Sequence, residues 1–283
     1  MTPPAARRAG FVLAELLVAM MIAAIIGMSL TQLVISQSRF VALQGALMQA
    51  RGGARAALNV IAADLRMVSD SGLVDAAADS VTVRVPYAFG VACTQSSGHT
   101  VVSLLPADSA TYFSATASGY AWRDSTGKFV FVEPATAGSS TGSQCGPPYL
   151  NKTIAILGAP GWPPLAVAVG PNDLRTPPGS VVYLYQVVRY AFAPSAQVPG
   201  RIGLWRTVLS TGERDELVAP FDTSAAFQFL DSTYTARPAP PADLNTVKGV
   251  RLVLVATSEQ PPEGRTLPMQ FNLTTDVVFR NHS

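Results

Sequence analysis

The sequence is short of charged side chains, histidine and cysteine. Among its 283 residues, 13% are charged, about half the usual share, and there are two histidines and two cysteines. The 20 basic and 18 acidic side chains nearly balance. A protein that binds nucleic acid normally carries a strongly positive field, so the composition predicts no nucleic-acid partner.

The short motifs of common active sites are also missing. The sequence contains no GxSxG elbow, no HExxH zinc motif, no glycine–lysine phosphate loop and no EF-hand loop. The two cysteines, Cys93 and Cys145, and the two histidines, His99 and His282, show no metal-ligand spacing. We therefore expect a protein that is not an enzyme, with no cofactor, no metal and no small-molecule substrate.

Two residue groups have both a functional and an ordinary interpretation. The carboxylates that follow Gly212 could supply oxygen ligands to calcium, although a solvated hairpin turn is the interpretation we prefer. The tryptophans could stack on sugars, but they more often fill cores or anchor loops. The carboxylates are Glu213, Asp215 and Glu216, and the tryptophans are Trp122, Trp162 and Trp205.

Apolar sequence is concentrated near the N-terminus. Residues 11–35 carry a single charge, that of Glu15, and a helix of this length would rise about 37 Å, enough to cross the hydrocarbon core of a bilayer. A carboxylate in such a segment costs a few kcal/mol unless it finds a partner. Arg7 and Arg8 precede the run and predict a cytoplasmic N-terminus.

Other N-terminal signals fit this segment less well. The apolar run is longer than the 7–15 residues of a secretory signal, and Gly10, the best small residue for cleavage, lies before the run. A lipoprotein signal needs a cysteine at the end of the run, whereas the first cysteine is Cys93. A plain signal anchor remains open, but it gives Glu15 no role.

The start of the run resembles the class III signal of type IV pilins and pseudopilins. Gly10 is followed by Phe11, Glu15 is the fifth residue after the glycine, and residues 16–19 read LLVA. The resemblance implies that a prepilin peptidase cuts after Gly10 and methylates the amine of Phe11. It also implies that Glu15 faces the amine of a neighbouring subunit in a filament. Val12 departs from the threonine that many members have there.

The helical pattern continues beyond the apolar run. Apolar residues recur at spacings of three and four, which predicts an amphipathic continuation over residues 36–70, with Gly52 and Gly53 as a soft point. The stretch 54–66 resembles PilW-like minor pilins and J-type pseudopilins. The stripe comprises Phe40, Leu43, Leu47, Ala50, Ala54, Leu58, Ile61, Leu65 and Val68.

From residue 71 onward the sequence is typical of β-strands. Runs rich in Val, Tyr, Phe and Thr are bounded by Gly and Pro, and no βαβ alternation is visible. We predict an α+β fold, with the long helix packed on an antiparallel β-sheet head over residues 71–283. The predicted strands lie within 81–85, 101–105, 129–132, 180–192, 201–209, 225–230, 247–257 and 268–279, and the predicted loops are 134–148, 170–179 and 237–241.

Cys93 and Cys145 both fall in the part predicted to lie outside the cytoplasm. An even pair in an oxidising compartment favours a disulfide, which would stabilise the fold by about 4 kcal/mol on the chain-entropy model. Two buried free thiols are the alternative.

The resemblance implies a minor pilin or pseudopilin that primes a type IV pilus-like or type II secretion filament. Its segments would be a leader (1–10), a transmembrane and filament-core helix (11–35), a soluble helix (36–70) and an extracytoplasmic head (71–283). Its partners would be other pilins, the prepilin peptidase and the bacterial inner membrane. The alternative is a signal-anchored extracytoplasmic binding protein with a ligand pocket and no filament.

Overall fold

A long N-terminal helix and one large antiparallel sheet make up the fold. The computed structural model describes residues 13–69, 71–96, 99–104, 106–112, 115–133, 136–137, 152–157 and 176–279. The helices are α1 (Leu13–Met67) and α2 (Pro106–Thr111), with a 3₁₀ turn at Leu244–Thr246. The strands are β1 (Leu73–Ala77), β2 (Ser80–Ser96), β3 (His99–Leu104), β4 (Gly119–Arg123), β5 (Phe129–Val132), β6 (Thr136–Ala137), β7 (Lys152–Leu157), β8 (Val181–Pro194), β9 (Ile202–Val208), β10 (Arg214–Phe221), β11 (Ala226–Leu230), β12 (Ala236–Arg237), β13 (Gly249–Thr257) and β14 (Gln270–Val278).

Helix α1 runs for 55 residues without a break. It continues through Gly52 and Gly53, the predicted soft point, and a Cβ on Gly53 would meet Val218 of β10 at an ordinary 3.5 Å. The head therefore contacts the helix at the position where helix propensity is lowest.

The apolar stripe of α1 packs on the sheet from about residue 43 onward. Leu43 and Leu47 are half-buried, whereas Phe40 is 60% exposed, so the predicted stripe is wrong at its first residue. The head contacts this turn of the helix on another side, since a Cβ on Gly264 would lie 3.8 Å from Nε of Arg39. Alanines in the stripe let the helix approach the strands closely. The buried helix residues are Ala50, Ala54, Ala57, Ile61, Ala62 and Leu65, and Val68 is buried directly after the helix ends.

The sheet contains 14 strands, and each recorded strand pair in the described residues is antiparallel. Its main path is β12-β11-β13-β10-β9-β8-β2-β3-β7-β6. Strands β14, β1 and β4 pair with β13, β2 and β8, and β5 pairs with β4. The α+β class and the predicted strand runs are thus confirmed, and β13 lies between β11 and β14.

The apolar core has two main parts. The larger part joins α1 to β2, β8, β11 and β13, and contains Tyr190, Phe227 and Phe229. The second lies towards the other end of β2 and β8, where Trp122 and Tyr120 stack with ring centroids 5.7 Å apart. Loop 237–241 is largely exposed, while most of the predicted loops 134–148 and 170–179 lies outside the described residues.

Candidate functional site

The N-terminal part of α1 projects beyond the head with its apolar side chains exposed. Leu13 is 78% exposed, Met28 68% and Val41 68%. The most apolar 18-residue window has a mean hydropathy of 2.2, and 0% of it is buried. This helix is long and apolar enough to cross a membrane, and its exposure distinguishes it from the core helix of a soluble protein, which would be mostly buried.

The hydroxyl groups in this segment are satisfied inside the helix. Ser29 Oγ donates to the carbonyl oxygen of Ile25 at 2.9 Å, and Thr31 Oγ1 donates to that of Gly27 at 2.8 Å. In hydrocarbon an unsatisfied hydroxyl is unfavourable, because no water replaces the missing partner. The two hydroxyl side chains are therefore compatible with an apolar environment.

Glu15 lies in the first turn of the described helix, on its exposed surface. A carboxylate at this end interacts favourably with the helix dipole. Gly10 and Phe11, the predicted processing residues, lie outside the described residues, so their role stays a prediction.

Polar contacts complete the attachment of the soluble half of α1 to the head. Gln49 Oε1 accepts a hydrogen bond from the backbone N–H of Glu259 at 3.4 Å, and the guanidinium of Arg51 lies 5.8 Å from the ring centroid of Phe271. Farther along, Asp64 accepts a hydrogen bond from Tyr190. These contacts span four turns of the helix, so helix and head form one unit.

The structure changes the interpretation of the carboxylates near Gly212. The chain turns at Gly212, which has a φ of +74°, so a hairpin turn is confirmed there. Asp215 and Glu216, however, belong to strand β10, opposite Arg206 and Trp205 of β9. Glu216 Oε2 accepts hydrogen bonds from two backbone N–H groups of the β8–β9 loop, so it is a loop-fixing residue rather than part of the turn. Among the described residues, no group of three His, Cys, Asp or Glu could hold a metal ion.

The other candidate residues lie apart from one another. Trp122 is buried in the second core, and the indole N–H of Trp205 donates to the carbonyl oxygen of Pro194 at 3.2 Å. Cys93 lies in β2 and His99 begins β3. Cys145, Trp162 and His282 lie outside the described residues, and the Cys93–Cys145 disulfide stays a prediction.

A pocket of about 360 Å³ lies beside the C-terminal end of α1. Helix residues Ala63, Arg66 and Met67 form one wall, and the other is formed by aromatic side chains from β2, β5 and β8 together with Ala121 of β4. The register places Phe89 of β2 beside Tyr183 of β8, Tyr183 beside Ala121 of β4, and Ala121 beside Phe131 of β5. Paired residues of antiparallel strands share a face, so the rings of β2, β8 and β5 lie on one face of the sheet, with the small Ala121 of β4 between those of β8 and β5. The aromatic residues that line the pocket are Phe89, Phe129, Phe131, Tyr183 and Tyr185.

Arg84 fixes one side of this pocket. Its Nε and Nη2 donate to the two carboxylate oxygens of Glu133 at 2.9 and 3.2 Å, and Nη1 donates to the carbonyl oxygen of Ser71 at 2.8 Å. Burial lowers the pKa of Arg84, but its contacts with Glu133 outweigh this effect and the pKa is raised. The guanidinium lies 4.5 Å from the ring centroid of Phe131. The ion pair thus holds a permanent cation against an aromatic face.

This pocket was not predicted from the sequence. The signal was present as two aromatic pairs at i and i+2, Phe129 with Phe131 and Tyr183 with Tyr185, because such pairs lie on one face of a strand. What the sequence did not reveal is strand β4, which brings the two pairs side by side.

Comparisons with known proteins give no family assignment. No protein-family model, curated protein or solved structure matches the chain.

Proposed function

We propose that the chain is a minor pilin or pseudopilin, a structural subunit of a type IV pilus-like filament. One observation supports this most strongly: a single helix has one half buried in a folded head and the other half apolar and exposed. Such a helix can reside in the membrane before assembly. Within a filament, the same surface can pack against the helices of other subunits.

The N-terminal residues supply the proposed processing chemistry. Cleavage after Gly10 would leave Phe11 with a free amine, which is then methylated. In the assembled filament that ammonium would approach the carboxylate of Glu15 on a neighbouring subunit. A buried ammonium and a buried carboxylate each offset the desolvation penalty of the other, so this pair would lower the cost of burying both charges inside a filament.

The head favours a position at the tip or in the priming complex. The chain after cleavage would have 273 residues, and its long loops would have to be accommodated at each repeat of a filament shaft. A subunit present in few copies avoids this constraint. We place the protein with PilW-like minor pilins ahead of J-type pseudopilins because of the length of its head, with other minor pilins, the prepilin peptidase and the inner membrane as its partners.

A second candidate function is a signal-anchored extracytoplasmic binding protein. The aromatic pocket of about 360 Å³ favours it, since small-molecule sites generally start near 300 Å³. This function requires neither cleavage at Gly10 nor a specific role for Glu15.

The mass of the N-terminal peptide distinguishes the two functions. The protein would be purified from membranes of a strain with an active prepilin peptidase, and in parallel from a strain that lacks the enzyme. A peptide that begins at Phe11 and is heavier by one methyl group, in the first strain alone, is the expected result. An intact N-terminus in both strains would contradict the filament proposal and favour the anchored binding protein.

A further inference from the structure

The aromatic pocket has the size and shape of a small-molecule site. Its volume is about 360 Å³, which suits a ligand of roughly one or two rings. Phe89 and Tyr183 meet edge to face at 5.3 Å between ring centroids, and Tyr183 lies 5.5 Å from Phe129. Flat apolar groups pack favourably against rings arranged in this way. The pocket therefore selects a flat apolar body.

Aromatic pockets often bind organic cations, because the face of each ring is electron-rich. Here two of those faces already have cationic neighbours. Arg84 lies 4.5 Å from the ring centroid of Phe131, and Arg123 lies 4.7 Å from that of Phe129. A third cation would be repelled by both guanidinium groups, so the pocket disfavours a cationic ligand.

The charges around the pocket instead favour an anion. Glu133 is the carboxylate in contact with Arg84, and both of its oxygens are used in that pair. Arg66 lines the helix wall, is exposed, and forms no ion pair with a described residue. A guanidinium presents parallel N–H groups that match the two oxygens of a carboxylate.

We propose that this pocket binds a small aromatic carboxylate, with its ring against Tyr183 and Phe129 and its carboxylate on Arg66. The pocket belongs to the head and does not depend on cleavage or filament assembly. The proposal therefore goes beyond the structural role of the chain and can fail without affecting it.

Three probes with the same ring system and different charge test the proposal: 2-naphthoate, 2-naphthylmethanol and 2-naphthylmethylammonium. Each would be titrated calorimetrically into the full-length chain in lipid nanodiscs. We expect 2-naphthoate to bind saturably and about tenfold more tightly than the neutral alcohol, as a charge-assisted hydrogen bond would give. The ammonium probe should bind most weakly.

Two arginine variants isolate the charge contact. Arg66→Gln should reduce the affinity for 2-naphthoate to that for the alcohol, and leave the alcohol unchanged. Arg55→Gln is the matched control, because Arg55 is also exposed and lies on the same side of α1, three turns or about 16 Å away. This variant should bind all three probes like the wild type.

Tyr183→Ala tests the ring contact and should weaken the anion and the alcohol together. Unsaturable uptake of 2-naphthoate, tighter binding of the ammonium probe, or an Arg66→Gln variant with unchanged 2-naphthoate affinity would each overturn the proposal. None of these results bears on the mass of the N-terminal peptide, so the two proposals are tested separately.

Discussion

The phenol of Tyr190 on strand β8 donates a hydrogen bond to the carboxylate of Asp64 on helix α1. Tyr190 is fully buried, and Arg206 Nε lies 3.9 Å from the same carboxylate oxygen. Burial raises the pKa of Tyr190, and the negative charge of Asp64 raises it further. The phenol therefore stays protonated at physiological pH and remains a donor, so this contact fixes the rotation of the helix on the sheet.

Removing that hydroxyl should weaken the attachment of the helix. We expect Tyr190→Phe to lower the free energy of unfolding by about 1–2 kcal/mol, because the half-buried carboxylate of Asp64 loses a donor. Denaturant unfolding followed by tryptophan fluorescence would measure the change. Tyr183→Phe is the control, since the Tyr183 hydroxyl forms no hydrogen bond with a described residue, and equal effects of the two variants would contradict the assignment.

A substitution at Gly119 should disturb the aromatic pocket. A Cβ there would lie 2.5 Å from the hydroxyl oxygen of Tyr185 and closer still to the carbonyl oxygen of Val132. We expect Gly119→Ala to destabilise the fold by about 1–3 kcal/mol through overpacking. Gly45→Ala in α1, where no atom lies within 4 Å of the added carbon, should instead be neutral or stabilising by up to about 1 kcal/mol. A stable Gly119→Ala variant would show that β4 is not held against Tyr185.

The turn between β11 and β12 should respond to acid. The hydroxyl and N–H of Thr233, the N–H of Thr235 and Arg237 Nε all donate to the carboxylate of Asp231. The Thr233 hydroxyl contributes most to lowering the pKa of Asp231 to about 2. Because this pKa is below its unfolded value of about 3.9, the contribution to stability is complete above pH 4 and is lost as the pH falls through 2.

Threonine-selective ¹⁵N labelling would follow this titration. The amide shifts of Thr233 and Thr235 should move together with a midpoint near 2, and Asp231→Asn should abolish the transition. A midpoint at the ordinary aspartate value would contradict the hydrogen-bonded turn.

Loss of the carboxylate at Glu15 should separate membrane insertion from assembly. We expect Glu15→Ala to reach the membrane fraction normally, since removing a charge favours insertion, while incorporation into filaments falls sharply. Ser29→Ala is a matched control in the same exposed segment, because the Ser29 hydroxyl bonds only within its own helix. Unaltered piliation or secretion with Glu15→Ala would count against the filament proposal.

The elements that could be predicted well from the sequence are those with a hydrophobic pattern that repeats over many consecutive residues. The helix stripe from Leu43 to Val68 and the apolar run of β13 repeat over many residues, so single exceptions do not obscure them. Phe40 was assigned to the buried stripe because periodicity cannot show which side of the helix the head covers near its edge. Near Phe40 the head residue beside the helix is Gly264, next to Arg39 and more than 200 residues away in the chain.

Short strands, and sites formed by residues that are distant in the sequence, were harder to predict. Strand β4 has five residues and begins with Gly119, so its composition gives little signal, and its pairing with both β5 and β8 defines it. Glu216 was assigned to a turn for a similar reason: its role depends on backbone groups of the β8–β9 loop, which the sequence places about 20 residues away. To predict the aromatic pocket, one would have to know both that β4 exists and which distant strands it pairs with.

The unbroken course of α1 also has a mechanical consequence. Because no hinge separates its exposed half from the head, any axial turn or pull on one end is transmitted to the other. An α-helix has 3.6 residues per turn, so each residue inserted between positions 36 and 38, where the helix is exposed, would swing the head by about 100° around the helix axis. The length of this short stretch therefore sets the direction in which the head faces.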